Sequence, residues 1–302
     1  MLADAVAEYL AVRRAGGFAC RSENLLLQSF ARFAAAAGES HVYAPTAIRW
    51  AGLVRSVPQS ARRLGMVRRF ARYLRAEDPR HEIPFAVFGS EKRPRPVPYI
   101  LSQHEIRRLV AAASCSGYRT LRRETYATFF ALLACTGLRV SETIRLRLDD
   151  ITPDGLVIRC SKFRKSRLVP LHETARQGLT RYLKRRSRYA PAEDHVFVSL
   201  RRKPLLIHDV EVAFKTAARA SGLVEQPGRS RPTPHSLRHT FAVRALLACP
   251  DGRDAITKHM VALSTYLGHA KVADTYWYLE AVPELMNDIA ARCEAFAAGE
   301  RP

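Results

Sequence analysis

Four short stretches of the chain carry side chains whose types and spacing suit work on an anion. Thr136-Gly137-Leu138-Arg139-Val140-Ser141-Glu142 sets Arg139 just behind a glycine, at the junction of two helical patterns, with Glu142 three residues on to orient it. Alone, a glycine-ended helix followed by an Arg-Glu pair is more often a plain surface feature. Ser161-Lys162-Phe163-Arg164-Lys165-Ser166-Arg167 reads as a turn whose basic tip would enter a groove, although taken alone a solvated hairpin tip is the better reading. In Pro234-His235-Ser236-Leu237-Arg238-His239 the i, i+3, i+4 spacing puts His235, Arg238 and His239 on one helix face. Two chemistries compete there. His-x3-His is a zinc spacing that His269 would complete, whereas an arginine on the same face repels a cation and suits a phosphate. Last, Leu263-Ser264-Thr265-Tyr266-Leu267-Gly268-His269 ends a helix at Gly268, and Tyr278 follows nine residues after His269, within Thr275-Tyr276-Trp277-Tyr278. Aromatic residues in such a run are by default core.

Holding these groups together takes a scaffold, and 302 residues supply about two domains at roughly 150 residues each. Hydrophobic residues make up 47% and charged ones 25%, a soluble globular mixture that excludes a disordered chain, collagen and a disulfide miniprotein. Helical spacing predicts segments at Ala3 to Ala15, Ser22 to Gly38, Ala44 to Val54 and Pro58 to Ala76. The repeats behind them include Leu25, Ser29, Phe30 and Phe33 in one segment and Leu64, Val67, Ala71 and Leu74 in the last, with Ser22 and Gly38 as cap signals. Three alternating prolines within residues 89–98 forbid a helix and favour an extended basic strap. Ser102 and Glu105 form a capping box that opens a helix through Ala113, and an apolar helix from Arg122 to Thr136 closes at Gly137. The pattern turns to β in Leu156 to Cys160 and Leu168 to Leu171, a small hairpin, and Asp194 to Ser199 reads as a further short strand. Everything past His208 reads helical in pieces, ending in an apolar face of Leu285, Met286, Ile289, Ala290, Cys293 and Phe296 that could dock on a neighbouring copy or on its own domain. The expected fold is mainly α with a small antiparallel β-sheet. Its parts are a helical domain at 1–88, a basic Pro-rich linker at 89–98, and an α+β domain with a helical tail at 99–302.

Charge names the partner class. Lys and Arg total 49 against 28 Asp and Glu, a net +21 with a sequence pI near 10.4, so a polyanion is the default partner. Arg greatly outnumbers Lys, as a GC-rich coding sequence would produce, but the placement of the charge argues against a mere composition habit. No acid occurs from Tyr43 through Ala76, while Arg49, Arg55, Arg62, Arg63, Arg68, Arg69, Arg72 and Arg75 accumulate. Solvated helices normally interleave both signs, so this segment is assigned to phosphate contact, with Arg62, Arg63, Arg68, Arg69 and Arg72 as candidates. Arg93 and Arg95 in the linker, and Arg164 and Lys165 at the hairpin tip, are added to them. No run of about 18 uncharged apolar residues occurs, so no membrane partner is expected. The acidic N-terminal stretch does not resemble a signal peptide, which predicts a cytoplasmic address. Cys20, Cys115, Cys135, Cys160, Cys249 and Cys293 lie far apart with no CxxC pair and are expected to be reduced, mostly buried thiols.

In order and type, these motifs resemble the catalytic domain of the tyrosine recombinase/integrase family, which includes lambda-type integrases and Xer-type recombinases. The family's succession of Arg, Lys, His-x-x-Arg, His or Trp, then Tyr is met by Arg139, Lys162, His235 with Arg238, His269 and Tyr278, over about Tyr99 to Met286. The N-terminal part is similar in type and position to the family's core-binding domain. The resemblance implies transesterification: Tyr278 attacks a phosphodiester, a 3′-phosphotyrosyl bond forms, and a free 5′-hydroxyl later reverses the step. Two guanidiniums, Arg139 and Arg238, would offset the charge of the pentacoordinate transition state. His235 would accept or relay the tyrosine proton, Lys162 would give one to the departing 5′ oxygen, and His269 would hydrogen-bond the phosphate. Lys165 rivals Lys162, and only the family alignment separates them. Tyr276 rivals Tyr278, but two residues along a helix is roughly 200°, so only one can face the phosphate. No metal or other cofactor is implied, and neither a GxxxxGK[ST] loop nor an Asp-rich cluster occurs. Expected partners are double-stranded DNA and further recombinase protomers, as a homotetramer or a hetero-oligomer on synapsed DNA passing through a Holliday junction. An accessory homologue that binds without cleaving, and a type IB topoisomerase, are the alternatives.

Overall fold

The arginine-rich N-terminal segment folds into four helices: α1 (Leu2–Ala15), α2 (Arg21–Ala36), α3 (Ala44–Gly52) and α4 (Val57–Arg75). The computed structural model describes residues 1–89, 97–115, 121–159, 166–223, 231–249, 253–268, 272–280 and 294. The chain divides into two compact units, Met1–Pro94 and Arg95–Pro302. In the first unit, α3 and α4 each begin with a proline in the first turn, where its missing N–H costs nothing. Helix α2 ends through Gly38 at φ +74, and Glu39 N–H returns to Ala34 O at 3.0 Å, as a left-handed helix stop requires. Ser22 is not its N-cap. Cys20 holds that place in a left-handed conformation, and Ser22 lies in the first turn. The buried stripe of α2 is also shifted from the expected one, to Leu27, Phe30, Ala31 and Ala34, with Leu25 exposed. The Leu64, Val67, Ala71 and Leu74 repeat of α4 is buried as its spacing predicts. These faces close on Trp50, Phe30 and Phe70, all essentially inaccessible.

The second unit opens with α5 (Gln103–Cys115), whose capping box forms as expected: Ser102 Oγ accepts from Glu105 N–H at 3.1 Å, and Glu105 Oε2 accepts from Ser102 N–H at 2.7 Å. Helix α6 (Leu121–Thr136) follows, stopped by Gly137 at φ +62, and then the short α7 (Val140–Arg145). After a 3-10 turn at Leu148–Asp150 comes a three-stranded antiparallel sheet: β1 (Ile151–Thr152), β2 (Gly155–Ile158) and β3 (Arg167–Val169). Leu156 pairs with Val169 and Ile158 with Arg167. The expected hairpin is therefore present, joined by a strand too short to give a two-residue period a signal. The segment Asp194 to Ser199 is not a strand; it makes isolated bridges through His195 and Val198 only. Helix α8 (Glu173–Tyr189) intervenes, followed by α9 (Ile207–Ala220), α10 (Pro234–Leu247), α11 (Arg253–Leu267) and α12 (Ala273–Glu280). The tail apolar face at 285–296 lies outside the described residues.

The unit's main core is aromatic, with Phe129 edge-on to Phe197 at 5.0 Å and Phe130 edge-on to Phe214 at 5.4 Å, tying α6 to α9 and to the segment after α8. A second cluster of Val243, Leu246, Met260, Leu263, Leu267 and Tyr278 joins α10, α11 and α12. The fold is mainly α with a small antiparallel sheet. Among the described cysteines only Cys20 is buried, with Cys249 intermediate and Cys115 and Cys135 exposed, so the expectation of mostly buried thiols fails. No helix among the described residues is long and apolar enough to cross a membrane.

Candidate active site

Gly137 begins the site. Its positive φ turns the chain out of α6, and a Cβ there would lie 2.5 Å from the Phe241 ring, so only glycine permits the turn against α10. The turn delivers Arg139 to the start of α7. Glu142, one turn in, accepts from the Arg139 backbone N–H through Oε2 at 3.0 Å and from Arg139 Nη1 through Oε1 at 2.8 Å. The carboxylate is buried, which alone would raise its pKa, but hydrogen bonds from Arg167 and Arg139 hold it down at about 2.

Helix α10 is hidden on most sides, including Ser236, Leu237, Arg238 and Thr240. Arg238 is 2% exposed, and its guanidinium donates to two backbone carbonyls. Its Nη1 donates to Gly137 O at 2.6 Å and its Nη2 to Leu267 O at 2.7 Å. Burial, then the nearby Arg139, presses its pKa down to about 10, which still leaves it charged at neutral pH. His235 and His239 sit one turn apart with ring centroids 4.4 Å from each other. Desolvation, then the guanidiniums of Arg238 and Arg139, push His235 down to about 4, so the imidazole is neutral with a lone pair available.

Tyr278 is 3% exposed on α12, while Tyr276 is 52% exposed, the opposite-face arrangement that their spacing dictates. The Tyr278 ring lies beside that of His239, at 5.5 Å, and Trp277 closes on the same histidine at 5.0 Å. Burial raises the Tyr278 pKa, against the pull of Arg238 and then Arg139. The two arginines thus favour the phenolate that attack on phosphorus would require.

Arg139, Glu142, His235, Arg238 and Tyr278 are therefore brought together. Lys162, Arg164, Lys165 and His269, like Arg93 and Arg95, lie outside the described residues, although the carbonyl of Gly268, the neighbour of His269, accepts from Arg139 Nη2 at 2.8 Å. The residue that sequence reasoning missed is Arg167, taken there as part of a solvated tip. It is buried against Glu142 and the end of α11. Strand alternation carried the signal: Arg167 shares a face with the fully buried Val169, while Leu168 between them is 46% exposed. Of the α4 arginines, Arg63 is partly structural, its guanidinium 4.3 Å from the Trp50 ring centroid and donating to Trp50 O, and Arg69 pairs with Glu23 at 3.3 Å. Arg62 and Arg72 project into solvent, and Arg68 is half-buried.

One trio of potential metal ligands comes together among the described residues: His41, Asp78 and His81. Their chemistry does not suit a cation, because the Val42 N–H occupies the His81 Nδ1 lone pair at 3.1 Å and Arg80 claims both Asp78 oxygens.

Residues 100–284 match the family model for the phage integrase family. The chain is 38% identical over 301 residues to the protein named integrase/recombinase y4rB of Sinorhizobium fredii, covering 96% of each chain. It is 32% identical to the tyrosine recombinase XerD of Caulobacter vibrioides over 236 residues, 76% of this chain and 73% of that one. Among solved structures it resembles the integrase of the Tn1549 transposon, bound there to transposon right-end DNA, with a TM-score of 0.65, 18% identity and 98% of each chain covered. The chain belongs to the phage integrase family, whose members are tyrosine-type site-specific recombinases.

Proposed function

We propose that the chain recombines double-stranded DNA at specific sites, cleaving and rejoining each strand through a phosphotyrosyl bond on Tyr278. One observation carries the reading. Three guanidiniums, of Arg139, Arg167 and Arg238, converge beside a buried tyrosine, and among the described residues the carboxylate hydrogen-bonded to the first two is Glu142. The surplus of positive charge suits a phosphodiester, and its low exposure keeps water from screening it. Tyr278 Oη attacks phosphorus, its proton passing to neutral His235, and the bond from phosphorus to the 5′ oxygen breaks. Lys162 protonates that oxygen. Arg139 and Arg238 hold the non-bridging oxygens, with His269 beside them. The energy of the broken ester is kept in the phosphotyrosyl bond, so reversal by another strand's 5′-hydroxyl needs no nucleotide.

The helical unit at 1–88 and the linker at 89–98 serve as the grip on the duplex, through Arg62, Arg63, Arg68, Arg69, Arg72, Arg93 and Arg95, with Arg164 and Lys165 adding contacts from 99–302. Recombination of two duplexes calls for four protomers on synapsed DNA, of this chain alone or mixed with related recombinases. A bacterial cytoplasm, on the nucleoid, is the corresponding location, and carriage by a mobile element fits the likeness to a transposon integrase. The test has two stages. DNA bound in cells is recovered by crosslinking, then offered back as a nicked suicide duplex. A protein-DNA band resistant to SDS is expected from the native chain and from Tyr276→Phe, and none from Tyr278→Phe. A band that survives in Tyr278→Phe refutes the assignment.

A further inference from the structure

Three consecutive carbonyls at the end of α11 each meet a different guanidinium. Tyr266 O accepts from Arg167 Nε at 2.7 Å, Leu267 O from Arg238 Nη2 at 2.7 Å, and Gly268 O from Arg139 Nη2 at 2.8 Å. Such carbonyls are the ones a helix end leaves without partners, at the negative pole of its dipole. Arg139 and Arg238 have catalytic work under the function proposed above. Arg167 has none, and its side chain is only 9% exposed.

The donors of Arg167 point inward. Besides Nε on Tyr266, its Nη1 reaches Glu142 Oε1 at 3.1 Å and its Nη2 reaches Oε2 at 2.9 Å, a bidentate fork. Glu142 Oε1 is then shared between Arg167 and the Arg139 side chain, and Oε2 between Arg167 and the Arg139 backbone. The carboxylate is a hub with an arginine on each side, and both arginines also grip the same helix end. With five N–H donors, Arg139 has some left after Glu142 and Gly268 are served.

We propose that Arg167 is a positioning residue, which rests on the recombinase reading: by forking Glu142 to the end of α11, it keeps that carboxylate charged and so holds Arg139 aimed at the phosphate. Without it, a carboxyl whose side chain is 2% exposed would keep a single bonded cation against its desolvation. Among the described residues, the other charged or titratable groups of the site are Arg238, His235 and His239 on α10, Tyr266 on α11, and Tyr278 and Asp274 on α12. Arg167 and Arg139 are the cations that set the Glu142 charge, and Arg238 acts on it only at longer range. A protonated Glu142 would no longer hold the Arg139 guanidinium by charge, and the oxygen carrying the proton would accept only weakly. Lysine cannot replace the fork, since one ammonium cannot span two carboxylate oxygens and a carbonyl in fixed geometry.

The experiment uses Arg167→Gln and Arg167→Lys in the full chain, with two readouts. The first is a carbon-13 NMR titration of the Glu142 carboxyl without DNA. In Arg167→Gln its midpoint should rise by about four pH units relative to the native chain, into the range where the acid limb is read, and in Arg167→Lys by less. The second is the rate of the covalent step on the suicide duplex at saturating DNA from pH 5 to 8. Arg167→Gln should gain an acid limb, losing about tenfold more rate at pH 5 than at pH 8, with DNA affinity held within about twofold. A Glu142 midpoint that does not move, or a rate loss equal at every pH, overturns the proposal and leaves Arg167 a packing residue. If Arg167→Gln does not fold, Arg167→Lys carries both measurements. If the native chain forms no bond through Tyr278, the recombinase reading fails, while the titration still judges the hold of Arg167 on Glu142.

Discussion

Replacing Glu142 by glutamine keeps the shape of the hub and removes its charge. The size of the loss follows from the site in two ways. The carboxyl titrates near 4.5 when free and is held at about 2 in the fold, a gap worth roughly 3 kcal/mol at about 1.4 kcal/mol per unit. Breaking a buried ion pair by removing one partner costs about 3–5 kcal/mol, and here the cost is at the low end because the Arg139 side chain is 24% exposed. Both give about 3 kcal/mol, a fall in melting temperature of about 6–12 °C for a unit of this size. The sign with pH is also fixed. A carboxyl whose folded pKa is depressed stabilises above its unfolded value, and that contribution is lost as pH falls through the folded one. The native chain should thus melt well above Glu142→Gln at pH 7, and the gap should shrink below about pH 4.5, to less than about half at pH 3. Calorimetry on both proteins across this range is the assay. Equal melting temperatures at pH 7, or a gap that stays constant down to pH 3, would refute the view that Glu142 is ionised and paired in the fold.

Other outcomes follow from single contacts. Gly137→Ala combines a left-handed backbone with a Cβ driven into Phe241, and should cost about 1–3 kcal/mol, partly recovered in a Gly137→Ala, Phe241→Leu double variant; full stability in the single variant would contradict the turn. Arg72→Gln should weaken DNA binding evenly across sequences and lower the salt slope by about one ion, whereas Arg63→Ala, losing its stack on Trp50, should lower the melting temperature as well. His239 Nδ1 is buried without a hydrogen-bond partner among the described residues, so His239→Phe should fold at least as stably as the native chain and keep its covalent step; loss of cleavage would mean that this nitrogen acts in the reaction. Because His235 is held neutral down to about 4, the native rate should show no loss centred near pH 6.5; such a limb would mean that His235 titrates as a free histidine.

Local signals read well where one element settles the question. The capping box at Ser102 and Glu105, the glycine stops at Gly38 and Gly137, and the buried repeat of α4 all depend on neighbours within a turn or two. The failures have a shared cause. Leu25 is apolar and in helical phase with Phe33, yet which stripe of α2 faces inward was decided by where α1, α3 and α4 pack. The segment at Asp194 to Ser199 has strand composition, but its backbone partners are single residues outside any strand, so no ladder forms. Arg186 on α8 carries no local signal of burial, yet it is 1% exposed and donates to the carbonyls of Ala190, Glu193 and His195.

The sequence by itself determined which residues are the candidates for the chemistry and in what order they occur, because the side-chain types and the nine-residue step from His269 to Tyr278 are written in the chain. It also determined that Tyr276 and Tyr278 face opposite ways, since helix geometry alone dictates it. Only the tertiary structure decided that Arg167, at the foot of the basic turn, belongs to the site. Its partners are Glu142, 25 residues away, and Tyr266, 99 residues away, and no local pattern encodes which buried carboxylate or helix end a distant guanidinium will meet.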